Sequence, residues 1–393
     1  MEIELNTAQK AARDEFKIFV DEHVAPFADE FDSKERIPDI LIRTICERGY
    51  MGAMVPKEYG GKAVDALTWG LLCEEIGRGS ASLVSLLTVH SMVSQTLAKW
   101  GNEEQRKKWL PKLATGESIG AFGLTEPEVG SDGKSVLTEA IADGNDHIVN
   151  GEKRWISFGQ IADLFLILAQ LQGKPTAFLI ERNTEGFSAE PISGMLGFRS
   201  AMLAELNMND CRIPSGNMVG NIGFGFSHVA GTALDHGRYC ISWASLGLLQ
   251  GCVNACLEYA GQRRQFGAFI KDHQLVQEMI TEMAVHAKAA RLMCYHAAYQ
   301  KDRGDPSLIM ETSMAKYFNS RVAVKAALNA VQIHGANGCS DRYPVARYLR
   351  DAKILEIIEG SNQMQQIIIS QYTHQEHIKA KRQALIKELE TGS

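Results

Sequence analysis

Asp163-Leu164-Phe165-Leu166-Ile167-Leu168, then the breaker Gly173-Lys174-Pro175, then Thr176-Ala177-Phe178-Leu179-Ile180-Glu181: this stretch decides the fold. Each run is rich in branched and aromatic residues and is short, as strands are. Neither approaches the ~20 apolar residues that cross a bilayer. Two similar runs flank them, Asp146-His147-Ile148-Val149-Asn150 and Leu203-Ala204-Glu205-Leu206-Asn207-Met208, set off by Gly144-Asn145 and Asn150-Gly151. Short strands punctuated by such turns predict an antiparallel sheet or small β-barrel over residues 119–228.

The pattern is helical on either side. Over 1–118, Asn6-Thr7 starts a helix whose face carries Ala11, Phe16, Phe19 and Val20. Tyr50 to Pro56 and Tyr59-Gly60-Gly61 break the chain, and Leu67 to Arg78 is a helix ended by Gly79. Leu83 to Trp100 reads as a core helix, and Asn102 with Gln105 as the capping box of the next. Over 229–393, Leu275, Met279, Met283 and Ala287 step by four, as do Met310, Met314, Phe318, Val322 and Ala326. Asp305 and Pro306 are expected to start the second of these helices, which stops before Gly335. The tail beyond Tyr372, with Lys379, Lys381, Arg382, Lys387, Glu388 and Glu390, reads as an exposed helix. The expected fold class is thus multidomain α+β: a helical domain, a β domain and a helical bundle.

With 22% charged and 45% hydrophobic residues the chain is a globular protein, and at −6 without a basic block it is not a nucleic-acid binder. Met1-Glu2-Ile3-Glu4-Leu5-Asn6 has no apolar run behind it and is not expected to be a secretory signal. No membrane partner is expected, the place is cytoplasmic, and the eight scattered cysteines are reduced thiols. His374 and His377 read as solvated tail residues.

Six motifs carry chemistry, and the first five also have a plain structural reading. Arg350-Asp351-Ala352-Lys353-Ile354-Leu355-Glu356-Ile357-Ile358-Glu359-Gly360-Ser361-Asn362-Gln363 reads as a helix running into a glycine turn. Glu359, behind an apolar run, is either a desolvated general base or a surface glutamate at a helix end. Phe122-Gly123-Leu124-Thr125-Glu126-Pro127-Glu128-Val129-Gly130-Ser131-Asp132 is either a loop offering N–H and hydroxyl groups to a planar ligand or a domain-entry turn. In Lys153-Arg154-Trp155-Ile156-Ser157, Trp155 is a stacking platform or a core residue, with Ser157 on the same side of the strand. Asp235-His236-Gly237-Arg238 places a cation near a ligand or in a surface ion pair. Gln262-Arg263-Arg264-Gln265-Phe266-Gly267 with His273-Gln274 clamps a diphosphate or complements a helix dipole. The turn Gln332-Ile333-His334-Gly335-Ala336-Asn337-Gly338 allows close backbone approach.

In their order and spacing, Leu124-Thr125-Glu126-Pro127 with Gly130-Ser131-Asp132, Trp155-Ile156-Ser157, Arg263 with Phe266-Gly267 and Gln274, Gln332-Ile333-His334-Gly335, and Arg350-Asp351-Ala352-Lys353 leading to Glu359-Gly360 resemble the acyl-CoA dehydrogenase family along nearly the whole chain. The resemblance implies an N-terminal helical domain, a β-barrel, a C-terminal four-helix bundle, bound FAD and a homotetramer or homodimer. It implies oxidation of an acyl thioester at its α,β carbons, with Glu359 taking the α-proton, flavin N5 taking the β-hydride, and the Gly360 N–H supporting the thioester oxygen. Electrons would pass to an acceptor such as an electron-transfer flavoprotein.

By the same resemblance Phe122, Leu124, Thr125 and Ser131 line the flavin ring and diphosphate, Trp155 stacks near the ring, and Ser157 bonds the N5 region. Arg263, Phe266, Gln274 and the turn Gln332, Gly335, Ala336 hold the adenosine half from a neighbouring subunit. Ser361 and Gln363 close over the cofactor. Ser131, Asp235 and Arg238 border the thioester cleft. The family commonly reads Gln-Arg after the base, with a second Arg five residues on; this chain has Gln365-Gln366 and then Gln371. The loss of both cations favours a carrier-protein thioester, which has one phosphodiester, over CoA. A flavin monooxygenase of this fold is the alternative that the placement of Glu359 argues against; a non-catalytic scaffold is argued against by the intact flavin-facing positions.

Overall fold

The computed structural model describes residues 4–391; Met1–Ile3 of the N-terminal reading and the side chains of Lys387, Glu388 and Glu390 lie outside the described residues. Six helices come first: α1 (Thr7–His23), α2 (Ala28–Lys34), α3 (Asp39–Glu47), α4 (Ala66–Gly79), α5 (Ala81–Trp100) and α6 (Glu103–Thr115). Asn6 and Asn102 each close a capping box, with Gln9 and Gln105. Eight strands follow: β1 (Gly120–Gly123), β2 (Glu139–Asp143), β3 (Asp146–Ile156), β4 (Leu164–Leu171), β5 (Lys174–Glu181), β6 (Phe187–Pro191), β7 (Ala204–Pro214) and β8 (Met218–Val219). The chain ends in α7 (Gly231–Gln262), a hairpin of β9 (Arg264–Gln265) and β10 (Ala268–Phe269), then α8 (Gln274–Asp302), α9 (Leu308–His334), α10 (Val345–Leu355) and α11 (Asn362–Thr391).

The runs that opened the sequence reading are β4 and β5, antiparallel at the centre of the sheet. Their unbroken hydrophobicity has a cause: both faces are covered. Phe165, Ile167, Phe178 and Ile180 join one core, which extends into the bundle. Leu164, Leu166, Leu168, Ala177 and Leu179 face a second core, built with Val93 and Leu97 of α5 and Trp109, Leu110 and Leu113 of α6.

Two features correct the expected barrel. The strand order is β6-β7-β3-β2-β4-β5-β8, so the sheet stays open with β6 and β8 at its ends. It is also mixed rather than antiparallel, because β1 and β2 both run parallel to β4, at Gly120↔Leu164 and Glu139↔Gln170. Parallel neighbours need a crossover, and here the β2–β3 hairpin and the loop after it return the chain beside strands it had already left.

Two helical stretches, Ala81–Trp100 and Gly225–Gln262, are long and apolar enough to cross a membrane by length and composition, but 89% and 78% of an apolar 18-residue segment in each is buried within the protein. They are the central struts. α4 crosses α7 closely, since Gly70 and Gly77 leave room for Trp243 and Ala244. α9 begins at Leu308, later than expected; Asp305 instead accepts the Ser307 N–H at 2.9 Å in the turn before it.

Candidate active site

α10 is fastened to every other part of the protein. The Arg347 Nε donates to Asp29 at 2.7 Å, and the Arg350 guanidinium donates to both carboxylate oxygens of Asp32 on α2, at 3.2 and 2.5 Å. Asp351, buried and pushed up to about 6 by that burial, accepts the Phe198 N–H at 2.7 Å from the β region. The helix ends at Leu355, and two left-handed residues turn the chain: Glu359 (φ 55°) and Gly360 (φ 81°). A glutamate in that region is strained by ~1–3 kcal/mol, and such strain clusters at functional sites.

The Glu359 carboxylate lies against α7. A Cβ on Gly237 would overlap it, so only glycine admits the base there. The residue is half-buried as a whole, yet its Oε2 is sealed from solvent with no hydrogen-bond partner. Burial pushes the carboxyl up to about 7, against the pull of the Arg238 guanidinium. This is the condition of a general base working at neutral pH. Of the apolar run expected behind it, Leu355 is buried while Ile357 is 54% exposed, so the desolvation comes from α7 more than from that run.

Arg238 pairs with Asp235 at 2.8 Å, and its Nε is buried without a partner. Asp235 is raised by burial in spite of Arg238. Arg238 is therefore beside the Glu359 carboxylate, and Asp235 is held there through its pair with Arg238. The Gly360 carbonyl accepts from Gln365 Nε2 at 3.0 Å and from Lys316 Nζ at 3.0 Å. No acceptor for the Gly360 N–H is found among the described residues. Ser361 caps α11 by accepting the Met364 N–H at 3.4 Å, and Gln363 is exposed.

The sequence reading missed Gly237, Gln365 and Lys316. Lys316 is wholly buried although it is a lysine within a helix. Its one signal was its company: the buried face of α9 carries Thr312, Ser313, Asn319 and Ser320, not the half-buried Met314 and Phe318 of the methionine stepping.

In the β region, Phe122 is buried in the second core, Leu124 and Thr125 are half-buried, and Ser131 is exposed. The loop is locked by Glu126. Burial would raise this carboxyl, but the Lys153 ammonium at 2.6 Å and donors from Thr138 and Leu137 outweigh it and hold it low. The Arg154 N–H donates to the Thr125 carbonyl at 2.8 Å, which sets the loop beside Trp155. Trp155 is 45% exposed, left-handed at φ 62°, with the Arg154 guanidinium 4.8 Å from its ring. The alternation expected to put Trp155 and Ser157 on one side does not run through: the register steps from Lys153↔Leu206 to Ile156↔Ala204, an extra residue on β3, and Ser157 lies past the strand's end. Such a bulge re-aims a side chain.

The remaining predicted residues gather elsewhere. Arg263, His334 and Asn337 line a cleft of about 360 Å³ whose walls come wholly from the bundle. Gln332 at the end of α9 and Gly335 and Ala336 on the turn after it are exposed, and Gln274 is exposed at the start of α8. Phe266, at the tip of the β9–β10 hairpin, is 97% exposed. One protomer thus presents two separate features: an exposed indole beside a half-buried loop, and a bundle-walled cleft where Arg263 stands with Glu258.

Three consecutive segments match family models: the acyl-CoA dehydrogenase N-terminal domain over residues 6–117, its middle domain over 121–211 and its C-terminal domain over 223–373. An acyl-CoA dehydrogenase of Bacillus subtilis is 40% identical over 360 residues, 90% of this chain and 94% of that protein. The structure of butyryl-CoA dehydrogenase from Megasphaera elsdenii matches with a TM-score of 0.92 at 32% identity, over 95% of this chain and 100% of the other. That of the prolyl acyl carrier protein oxidase AnaB matches with a TM-score of 0.89 at 29% identity, over 94% of this chain and 100% of the other. A dry carboxylate on a strained turn, an exposed indole beside a locked loop, and a helix–sheet–helix order matched from end to end have one common explanation: the chain belongs to the acyl-CoA dehydrogenase family, flavoprotein oxidoreductases that act on CH–CH bonds.

Proposed function

We propose that this protein is an FAD-dependent dehydrogenase that oxidises an acyl thioester at its α,β carbons, with Glu359 as the base. The observation that carries the reading is the sealed, unpartnered Oε2 of Glu359. An α-proton of a thioester is far less acidic than a carboxylic acid, so the base must be desolvated and the developing negative charge on the thioester oxygen must meet a fixed donor. The free N–H of Gly360, next in the chain, is that donor. The α C–H bond breaks towards Glu359 as the Cα–Cβ double bond forms. FAD, when bound, supplies the acceptor of the β-hydride. Leu124, Thr125, Ser131, Trp155 and Ser157 would hold its ring and diphosphate, and the Gly237 surface keeps the base dry.

Arg263, Phe266, Gln274 and the Gln332–Ala336 turn would serve the adenosine half bound by a neighbouring subunit. What supports this is the Phe266 ring, left almost wholly in solvent at a hairpin tip, and a cleft walled by the bundle alone. A homotetramer or homodimer follows, with 1–118, 119–228 and 229–393 as its domains. An electron-transfer flavoprotein is the proposed acceptor. Eight free thiols suit a reducing, cytoplasmic setting.

The acyl group is proposed to ride on a carrier protein rather than CoA. Gln366 and Gln371, in place of the arginines common in the family, are both exposed, and Gln366 donates to the Tyr317 hydroxyl at 3.1 Å. The likeness to a carrier-protein oxidase agrees.

The test is spectroscopic. Anaerobic addition of an acyl thioester should bleach the bound flavin of the wild type; Glu359→Gln should keep its flavin and not bleach. Bleaching by the variant would assign the base elsewhere. Saturation kinetics with one acyl group on CoA and on carrier protein decide the donor, and efficient turnover of the CoA form at micromolar levels would end the carrier reading.

A further inference from the structure

Lys316 takes no part in the proposed reaction, yet it is 0% exposed and the hydrogen bonds of its ammonium go to the loop that holds Glu359. Its Nζ donates to the Glu356 carbonyl at 3.3 Å, the Gly360 carbonyl at 3.0 Å and the Asn362 Oδ1 at 3.1 Å. These acceptors span the chain from just after α10 to the start of α11, with Glu359 between them. A lysine ammonium has three N–H groups, and a neutral amine has two. Three acceptors converging on one wholly buried nitrogen therefore call for the charged form.

We propose that Lys316 is a positioning residue for the base: its ammonium clamps the 356–362 loop, holds Glu359 in its left-handed turn with the Gly360 N–H turned to the substrate, and sets the charge that the Glu359 carboxylate feels. The proposal rests on Glu359 being the base. The clamp explains how a strained non-glycine turn persists, since strain survives only where the surroundings over-determine it. The electrostatics agree. Burial pushes Lys316 down to about 7, partly offset by the carboxylate of Glu359, and Lys316 in turn draws the Glu359 carboxyl down after Arg238. The other charged or titratable groups facing the pair are Arg238 and Cys240 on α7 and Glu356 on the loop, while α11 presents only the neutral Asn362 and Gln365.

Lys316→Met removes charge and donors at similar volume. Each abandoned acceptor keeps another donor: Asn362 N–H for Glu356, Gln365 for Gly360 and Ser320 for Asn362, so the variant is expected to fold. The readout is exchange with deuterium of the α-protons of the 3-thiabutyryl thioester of a carrier protein, with the CoA thioester run in parallel, followed by mass spectrometry across pH. This analogue has sulfur at the β position and no hydride to give. In holoenzyme, Lys316→Met is expected to move the acid limb of exchange up by roughly one pH unit, as loss of a neighbouring cation does, and to lower exchange at pH 7 about tenfold. Lys316→Arg keeps the charge but displaces the donors; it should leave the limb in place and lower the rate severalfold.

An unchanged limb and rate in folded Lys316→Met overturns the proposal. Should that variant not fold, an unchanged rate in Lys316→Arg does so. Exchange that persists in Glu359→Gln would instead remove the assignment of the base, a separate and recognisable failure.

Discussion

Replacing Glu359 with Gln should stabilise the protein as it destroys the activity, and the stabilisation should depend on pH. The folded protein holds this carboxyl at about 7 against an ordinary 4.5, chiefly through burial. The folded state therefore binds the proton more tightly than the unfolded chain does. Wild-type stability falls as pH rises from the ordinary value through 7, because the carboxylate must then be carried without its water. At 1.36 kcal/mol per pH unit the full penalty is ~3 kcal/mol above pH 7. That is an upper figure, because the residue is only half-buried as a whole and because Lys316 loses its anionic neighbour in the variant. Glutamine has no ionisation to suppress. Its holoenzyme should melt roughly 3–6 °C above wild type at pH 8, with the difference shrinking towards zero at pH 5. Differential scanning at both values, on protein of matched flavin content, reads this directly. A variant with the same offset at pH 5 and pH 8 would mean that the carboxylate is not desolvated, and the case for a tuned base would fall with it.

Other outcomes follow from the same geometry. Gly237→Ala puts a methyl where the Glu359 carboxylate now lies; with the fold intact by circular dichroism, kcat should drop about 100-fold, the usual result of moving a reacting group by ~1 Å. Trp155→Ala removes the exposed indole and should loosen the flavin by ~1 kcal/mol, about five-fold, seen as flavin lost on gel filtration. The pair Gln366→Arg and Gln371→Arg should lower the KM for acyl-CoA by no more than about thirty-fold, an effect that salt erases, since exposed charge pairs contribute ~0–1 kcal/mol each.

The order helix, sheet, helix was legible because it rests on local periodicity. Caps were legible too: Asn6 and Asn102 sit where their side chains satisfy the first N–H groups of α1 and α6. The open, mixed sheet was not. Nothing in Gly120-Ala121-Phe122-Gly123 shows that it will lie along β4, because that pairing depends on where the chain has been meanwhile. On α9 the stepping is half right: Met310, Val322 and Ala326 are buried, but Met314 and Phe318 are only half-buried, and the helix also buries a small polar set, where Asn319 donates to the Ser242 carbonyl of α7 at 3.1 Å. Glu359 could be nominated from its place in a motif, but its dryness is contributed by Gly237, more than a hundred residues earlier in the chain. Lys316 illustrates the limit: a lysine on a helix reads as solvated until the loop that consumes its three protons is in view.

The charged residues of the motif before the base acquire a purpose in this light. Arg350 and Asp351 are not beside the reacting atoms; they grip α2 through Asp32 and the β region through the Leu196 carbonyl and the Phe198 N–H. Arg347, a turn earlier, grips Asp29. The helix that leads to Glu359 is thus registered against the N-terminal helices and the sheet before the chain turns. The bundle then adds the second constraint from its own side, through Lys316 and Gln365. A left-handed glutamate would relax if either anchor were missing, because the ~1–3 kcal/mol it stores is comparable with a single lost contact. On the proposal that Glu359 is the base, it is competent only where helical domain, sheet and bundle are docked together, so docking is itself a condition of the chemistry.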